Sequence, residues 1–338
     1  MGLYQLIFER DEFLRLYNCS FYQVELIPIE KRKHFGFGLL ILIMGFFYEL
    51  LYLPCVYALS RKNVRESSFC YELMLLMTLF DMLTLPLTTL LPGWFSMQGL
   101  MFCSAPYTSY LAGTALLASW VPYTSASIIL TLNRCLLFTS YTHIFSGSKR
   151  LLWLAFPVIS AVLIFVFANP GLYNPIYGAF FFNPHLVYFE DLSGKYNSRI
   201  QLWNNVVFII VQPTIYFLFL TRYLAARSIQ IPKREKALFI QAFIVNVTVV
   251  SAALGYTLMQ WIELPVEFIA FSHISWVIIE GTPSLIYLLY NQSVRRVLLL
   301  DTEWIQRLQM RVGVKPHDLL STQNALTKNQ SVYVLQNH

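Results

Sequence analysis

Three acidic side chains, Glu49, Asp81 and Glu280, stand inside runs that are otherwise almost wholly apolar. An ionised carboxyl is costly there, so such a group serves as a proton carrier, a cation ligand or a neutral hydrogen-bonding group. Arg134, between Asn133 and Cys135, ends another apolar run. Its five-donor guanidinium can tie segment ends together or grip the backbone carbonyls of a partner. A plain anchoring charge, which any lysine would satisfy, is the simpler use of the same position. Tyr107, Tyr110, Trp120, Trp203, Tyr256, Trp261, Phe271, His273 and Trp276 gather toward one end of these runs. Aromatic walls with few polar groups suit small apolar or amphipathic ligands, although aromatic residues at such ends also serve as interface anchors. His273 stands alone inside its run, so no histidine-based metal site is expected there. No H-E-x-x-H, P-loop, G-x-S-x-G or Cys-x-x-Cys motif occurs, and neither catalysis nor a cofactor is expected.

The elements that would position these residues follow from composition. Of 338 residues, 57% are hydrophobic and 12% charged, and the mean hydropathy is +0.54. Soluble domains carry about 25% charged residues. This chain lacks the polar residues to cover a core, so its solvent must be lipid. The net charge of +6 does not indicate nucleic acid, because the basic residues form short clusters between apolar runs.

A span needs about 20 mainly apolar residues. Segments 35–59, 69–92, 106–134, 151–170, 200–224, 237–262 and 267–290 qualify, which predicts an all-α, seven-transmembrane helix bundle. Residues 1–34 precede it and residues 291–338 follow it. With the N-terminus outside, 17 of the 24 Lys and Arg residues fall inside and 7 outside, as the positive-inside rule favours. Lys31-Arg32-Lys33 is the exception to that bias. Met1–Ser20 mixes charged and apolar residues, so no cleavable signal is expected and the first span inserts itself. After Tyr290, basic residues flank an apolar strip, which predicts a short amphipathic helix on the inner leaflet; a simple extension of the seventh helix is the alternative. The rest of the tail is polar and expected to be disordered.

With this topology Cys55 lies within a span and Cys70 and Cys135 lie toward the inner face. Only Cys19 and Cys103 face an oxidising compartment, which predicts one disulfide pinning the N-terminal segment over the bundle mouth. Asn18-Cys19-Ser20 is the one glycosylation sequon placed outside.

Several short patterns occur in order. They are Tyr52-Leu53-Pro54, Phe80-Asp81, Cys103-Ser104-Ala105-Pro106, Ser119-Trp120, Asn133-Arg134-Cys135, and Pro283 with Tyr287, Asn291 and Arg295. Together, over about residues 17–300, the chain resembles the nematode serpentine chemoreceptors, most of all class T. The resemblance implies a G-protein-coupled receptor for a small molecule, acting through a heterotrimeric G protein at the plasma membrane of sensory neurons, in the cilium for some members. Under it, Asp81, Asn133, Arg134, Glu280, Pro283 and Tyr287 become the candidate signalling switch. The helices bearing Asp81 and Glu280 then neighbour each other. Two close carboxyls cannot both ionise cheaply, so one is protonated or a cation sits between them. Packing by hydrogen bonds to backbone or Ser/Thr is the competing reading. The chain departs from the rhodopsin-like pattern in having no acid before Arg134 and no proline in the sixth span. A transporter or channel using Asp81 and Glu280 is the alternative function.

Overall fold

The structure, a computed structural model, describes residues 2–136, 140–226, 233–258, 262 and 264–300. Two short helices open it, α1 (Gly2–Phe8) and α2 (Arg10–Leu16). The first span is α3 (Phe35–Ser60). The second is α4 (Phe69–Leu85), which runs through a π turn at Pro86–Leu90 into α5 (Leu91–Gln98). The others are α6 (Pro106–Leu136), α7 (Ser148–Phe167), α8 (Arg199–Ala226), α9 (Lys233–Leu258) and α10 (Val266–Tyr290). Among the described residues, five stretches are long and apolar enough to cross a membrane: Ile29–Ser60, Phe69–Gln98, Pro106–Leu136, Ser148–Phe167 and Val266–Tyr290. The helices α8 and α9, of 28 and 26 residues, stand at the fifth and sixth expected positions.

Among the described residues, the second span is the one whose end differs most from the expectation. Residues 93–98, expected as loop, are helical. Pro86 and Pro92 each remove a backbone donor, and the wider π turn between them absorbs the first loss without ending the helix. The helix stops at Gly99, whose φ of 71° is a left-handed cap that a glycine adopts freely. Arg32 donates to the Gly99 carbonyl at 2.6 Å and to that of Ile27 at 3.2 Å. One member of the exceptional basic cluster therefore works as a local cap, favourably placed at the negative end of a helix.

Burial separates the helices. In its most apolar window α6 is 78% buried and α7 only 11%, so α6 is the central post and α7 lies at the periphery. Leu151, Leu152, Phe156, Ile159, Val162 and Leu163 all point away from the bundle on α7. Such a stripe would be a liability in water and is ordinary against hydrocarbon. At the other edge, the seventh helix meets the first so closely that Gly281 lies under the Tyr48 ring.

Beyond Tyr290 the chain turns at Asn291, whose backbone is extended. The Asn291 Oδ1 accepts from the Ser293 and Val294 N–H groups, both at 3.1 Å, and so caps a separate helix, α11 (Gln292–Leu300). Val294 and Val297 are buried while Arg295 and Arg296 are exposed. The Tyr71 hydroxyl donates to Ser293 Oγ at 2.9 Å and ties α11 to the second span. The seventh helix thus does not simply extend.

The end of the bundle holding Cys19 and Cys103, called outer here after the charge bias, carries a lid. The two cysteines are bonded, with Cα atoms 5.5 Å apart. Helices α1 and α2 fold back over the top of α6 and α7. The Gly2 N–H donates to the Ala168 carbonyl at 3.0 Å, and the Tyr110 hydroxyl donates to the Gly2 carbonyl at 2.8 Å. Phe13, Leu16, Tyr17, Phe102, Tyr110, Leu172 and Tyr196 form one buried cluster beneath. Beside the disulfide, buried His185 stacks on Tyr22 with ring centres 3.8 Å apart. Burial pushes the His185 imidazole down to about 4 from 6.5, and the Leu16 backbone offsets only part of that. An undocked His185 takes up a proton below about pH 6.5, whereas the docked one does so only near pH 4. Its contribution is therefore complete above pH 6.5 and declines as pH falls toward 4. Thermal unfolding of the purified protein across that range should show the decline, and His185→Asn should flatten it.

Candidate functional site

A cavity of about 300 Å³ opens among the third, fifth, sixth and seventh spans. That is at the small end of the roughly 300–1,000 Å³ typical of small-molecule sites. The segment between the fourth and fifth spans roofs it with an antiparallel hairpin, β1 (Leu172–Asn174) and β2 (Ala179–Phe181). The hairpin follows from its turn. The Asn174 Oδ1 accepts from the Ile176 N–H at 3.0 Å, and Gly178 takes a φ of 65° before the return strand. Asn174, Pro175 and Gly178 together were the signal that could have revealed it.

Of the aromatic residues expected to hold a ligand, Trp120, Tyr256 and Trp276 line this cavity. The Trp276 ring packs edge-on to Trp120 at 5.6 Å and to Tyr256 at 4.8 Å. His273 is fully buried behind Tyr256, with its Nδ1 3.2 Å from the Tyr256 hydroxyl. The others lie elsewhere. Tyr107, Trp203 and Phe271 turn outward, 51%, 65% and 62% exposed, and Tyr110 is the seat of the lid. Period and span position select a helix end but not the side facing inward. Trp261 lies outside the described residues. Sequence reasoning missed Asn205, Gln201, Phe180 and the roof acids Glu190 and Asp191, all of which line the cavity. Burial pushes the Asp191 carboxyl up. The backbone N–H groups of Tyr196 and Lys195, the Ser193 hydroxyl and the Lys195 charge outweigh that and hold it below its ordinary value.

A chain of polar contacts descends from the cavity wall. The His273 Nε2 stands 3.0 Å from the Thr88 carbonyl. That carbonyl has no α-helical donor, because residue 92 is a proline. A carbonyl only accepts, so Nε2 carries the ring proton and Nδ1 accepts from Tyr256. The Thr88 hydroxyl lies 2.8 Å from Glu280 Oε2 and 3.1 Å from the Thr84 carbonyl. The Tyr52 hydroxyl sits 2.5 Å from the Glu280 carbonyl and 2.8 Å from Asp81 Oδ2. Asp81 and Glu280 thus come into one buried cluster, each contacting a hydroxyl rather than the other. Glu49, half-buried on the first span, has a buried oxygen without a hydrogen bond.

Toward the inner end a second network knits the third, fifth and sixth spans. Gln212 donates to Thr131 Oγ1 at 2.5 Å. The Asn246 amide reaches Thr131 at 3.3 Å and the Tyr216 hydroxyl at 3.0 Å, and its oxygen accepts from Ser127. Asn246 reads in the sequence only as a sequon within a span, yet it is the hub. Its amide in an apolar run was the signal. Arg134 is 3% exposed, and its Nη2 stands 3.3 Å from the hydroxyl of Ser68, the cap of the second span. Asn133 is buried beside it. Pro283 and Tyr287 are buried on the inner half of the seventh span. Among the described residues, an ion pair between Arg150 and Glu72 joins the fourth and second spans near this end.

Residues 3–308 match the serpentine-type 7TM GPCR chemoreceptor Srt family. Serpentine receptor class T-55 of Caenorhabditis elegans is 21% identical over 279 residues, covering 79% of this chain and 75% of that receptor. A match from the lid to beyond α11 takes in every element described above, and the chain belongs to the Srt family of serpentine chemoreceptors, which are multi-pass membrane proteins.

Proposed function

We propose that this protein is a chemosensory receptor with its N-terminus outside. It takes a small molecule into the outer cavity and signals to a heterotrimeric G protein through the inner ends of its spans, beside Arg134. The observation that carries this reading is the polar chain from Tyr256 on the cavity wall through His273 and Thr88 to Glu280. A ligand that moves Tyr256 disturbs partners on the second and seventh spans, and so biases how those spans pack. Asp81, Asn133, Glu280, Pro283 and Tyr287 belong to the same switch in this reading. The basic residues between the fifth and sixth spans suit anionic lipid or an acidic G-protein surface.

The test is G-protein activation in a heterologous cell, using wild type and Arg134 variants of matched surface density against a panel of volatile and water-soluble compounds. Arg134→Ala should lower the response at least about tenfold, as expected for loss of hydrogen bonds to a charged group. Arg134→Lys should restore little of it, since an ammonium lacks the planar fork. Equal responses in all three would remove the inner switch. Currents or uptake without a G protein would replace the receptor with a transporter or channel running past Asp81 and Glu280.

A further inference from the structure

We infer that the cavity receives a small neutral molecule with an apolar body and one carbonyl oxygen, such as a ketone, aldehyde or ester, and that Asn205 donates to that oxygen with Trp276 beside it. The inference rests on the receptor reading only in taking this cavity as the ligand site.

Trp120 sets the orientation of the Asn205 amide through its indole. An indole N–H can only donate, and it stands 3.0 Å from Asn205 Oδ1. That contact fixes which way the Asn205 amide points. The Asn204 amide nitrogen, 3.5 Å away, approaches the same oxygen. The Asn205 nitrogen is left as the free end. Asn205 is 1% exposed, lines the cavity, and its Nδ2 is buried without a hydrogen bond. The Trp276 Nε1 is a second such donor on the same wall. The Glu280 carboxyl, one turn along α10, is near enough to be felt by that N–H but is not in hydrogen-bond geometry with it.

A buried donor without an acceptor is costly, so a ligand that supplies the acceptor gains specificity as well as affinity. The surroundings disfavour the other classes. Glu190 and Asp191 stand among the lining residues and no Lys, Arg or His does, so a carboxylate is repelled. An ammonium can pair with Glu190 or Asp191 at the roof but leaves the buried Asn205 donor unmet. A hydrocarbon leaves both donors unmet. An alcohol must also place its own proton.

The experiment measures direct binding to purified full-length receptor in lipid nanodiscs, by calorimetry and by saturable quenching of tryptophan fluorescence. Four sets of compounds are matched in carbon number: carbonyl compounds with methyl hexyl ketone among them, hydrocarbons with octane, carboxylates with octanoate, and amines with octylamine. Saturable binding is expected in the carbonyl set, at least about tenfold tighter than for matched members of the other sets. Asn205→Asp keeps the acceptor for Trp120 and turns the free donor into an acceptor, and should weaken carbonyl binding at least about tenfold. Trp276→Phe keeps the ring and should cost less. Tightest binding in another set, no saturable carbonyl binding, or unchanged affinity in Asn205→Asp overturns the inference. Carbonyl binding without a G-protein response would sink the receptor reading and leave this inference standing. A G-protein response confined to another set would do the reverse.

Discussion

Cells expressing Cys19→Ser or Cys103→Ser should show several-fold less receptor at the surface, and the purified protein should unfold at a clearly lower temperature. Loss of a native disulfide costs about 2–5 kcal/mol, and chain entropy places a closed loop this long toward the upper end. The bridge spans a sequence separation of 84 and holds the lid onto the head of α6. Without it, the N-terminal helices are held down by non-covalent contacts alone, such as the Tyr17 and Phe13 rings against Tyr110 at 4.8 and 5.0 Å and the Gly2 hydrogen bonds to Ala168 and Tyr110. The double variant should match either single one, because each already removes the whole bond. A single variant with wild-type surface density and melting temperature would show that the lid holds without the bond.

The second large effect is expected at Gly281. A Cβ there would lie 2.2 Å from the Tyr48 Cγ and Cδ1 atoms, inside any real contact distance. Tyr48 is itself buried, 8% exposed, and belongs to the main core cluster, so the ring has little room to retreat. Gly281→Ala should cost about 1–3 kcal/mol, the usual range for overpacking, and should lower the yield of folded receptor. Because Glu280 is the adjacent residue, the response should fall further than the surface density does. Shrinking the ring in a Tyr48→Ala, Gly281→Ala double variant should recover part of both losses, as expected for residues in direct contact. A single variant that melts like wild type would mean that the first and seventh spans do not approach this closely.

The parts of this molecule that were legible in sequence are those set by average solvent preference. Runs such as 106–134 and 151–170 read as spans because lipid selects apolar residues over a whole helix length. Cys19 and Cys103 read as a pair because the topology left no other cysteine outside. Facing was harder. Trp120 and Trp203 look alike in sequence, yet one forms a cavity wall and the other points outward. In a soluble bundle polarity would separate the two faces, whereas in lipid both faces are apolar. Asn205 and Asn246 went unnoticed as hubs for a related reason: the partners that satisfy them, Trp120, Thr131 and Tyr216, come from distant spans. Asp81 and Glu280 were visible as unusual residues, but Tyr52, whose hydroxyl reaches both helices, stood out only as part of the Tyr52-Leu53-Pro54 pattern and not as their partner.

The Thr88 carbonyl, which Pro92 leaves to His273, makes two remote positions a single unit of inheritance. A non-proline residue at position 92 would bring an N–H that competes for the Thr88 carbonyl and would weaken the contact that sets the His273 tautomer. A residue other than histidine at position 273 would leave that carbonyl bare beside the π turn. Drift at either position alone is therefore penalised, while a paired change is tolerated. Among descendants of this gene, Pro92 and His273 should persist together or disappear together, although the contact they govern joins residues 185 apart in the chain.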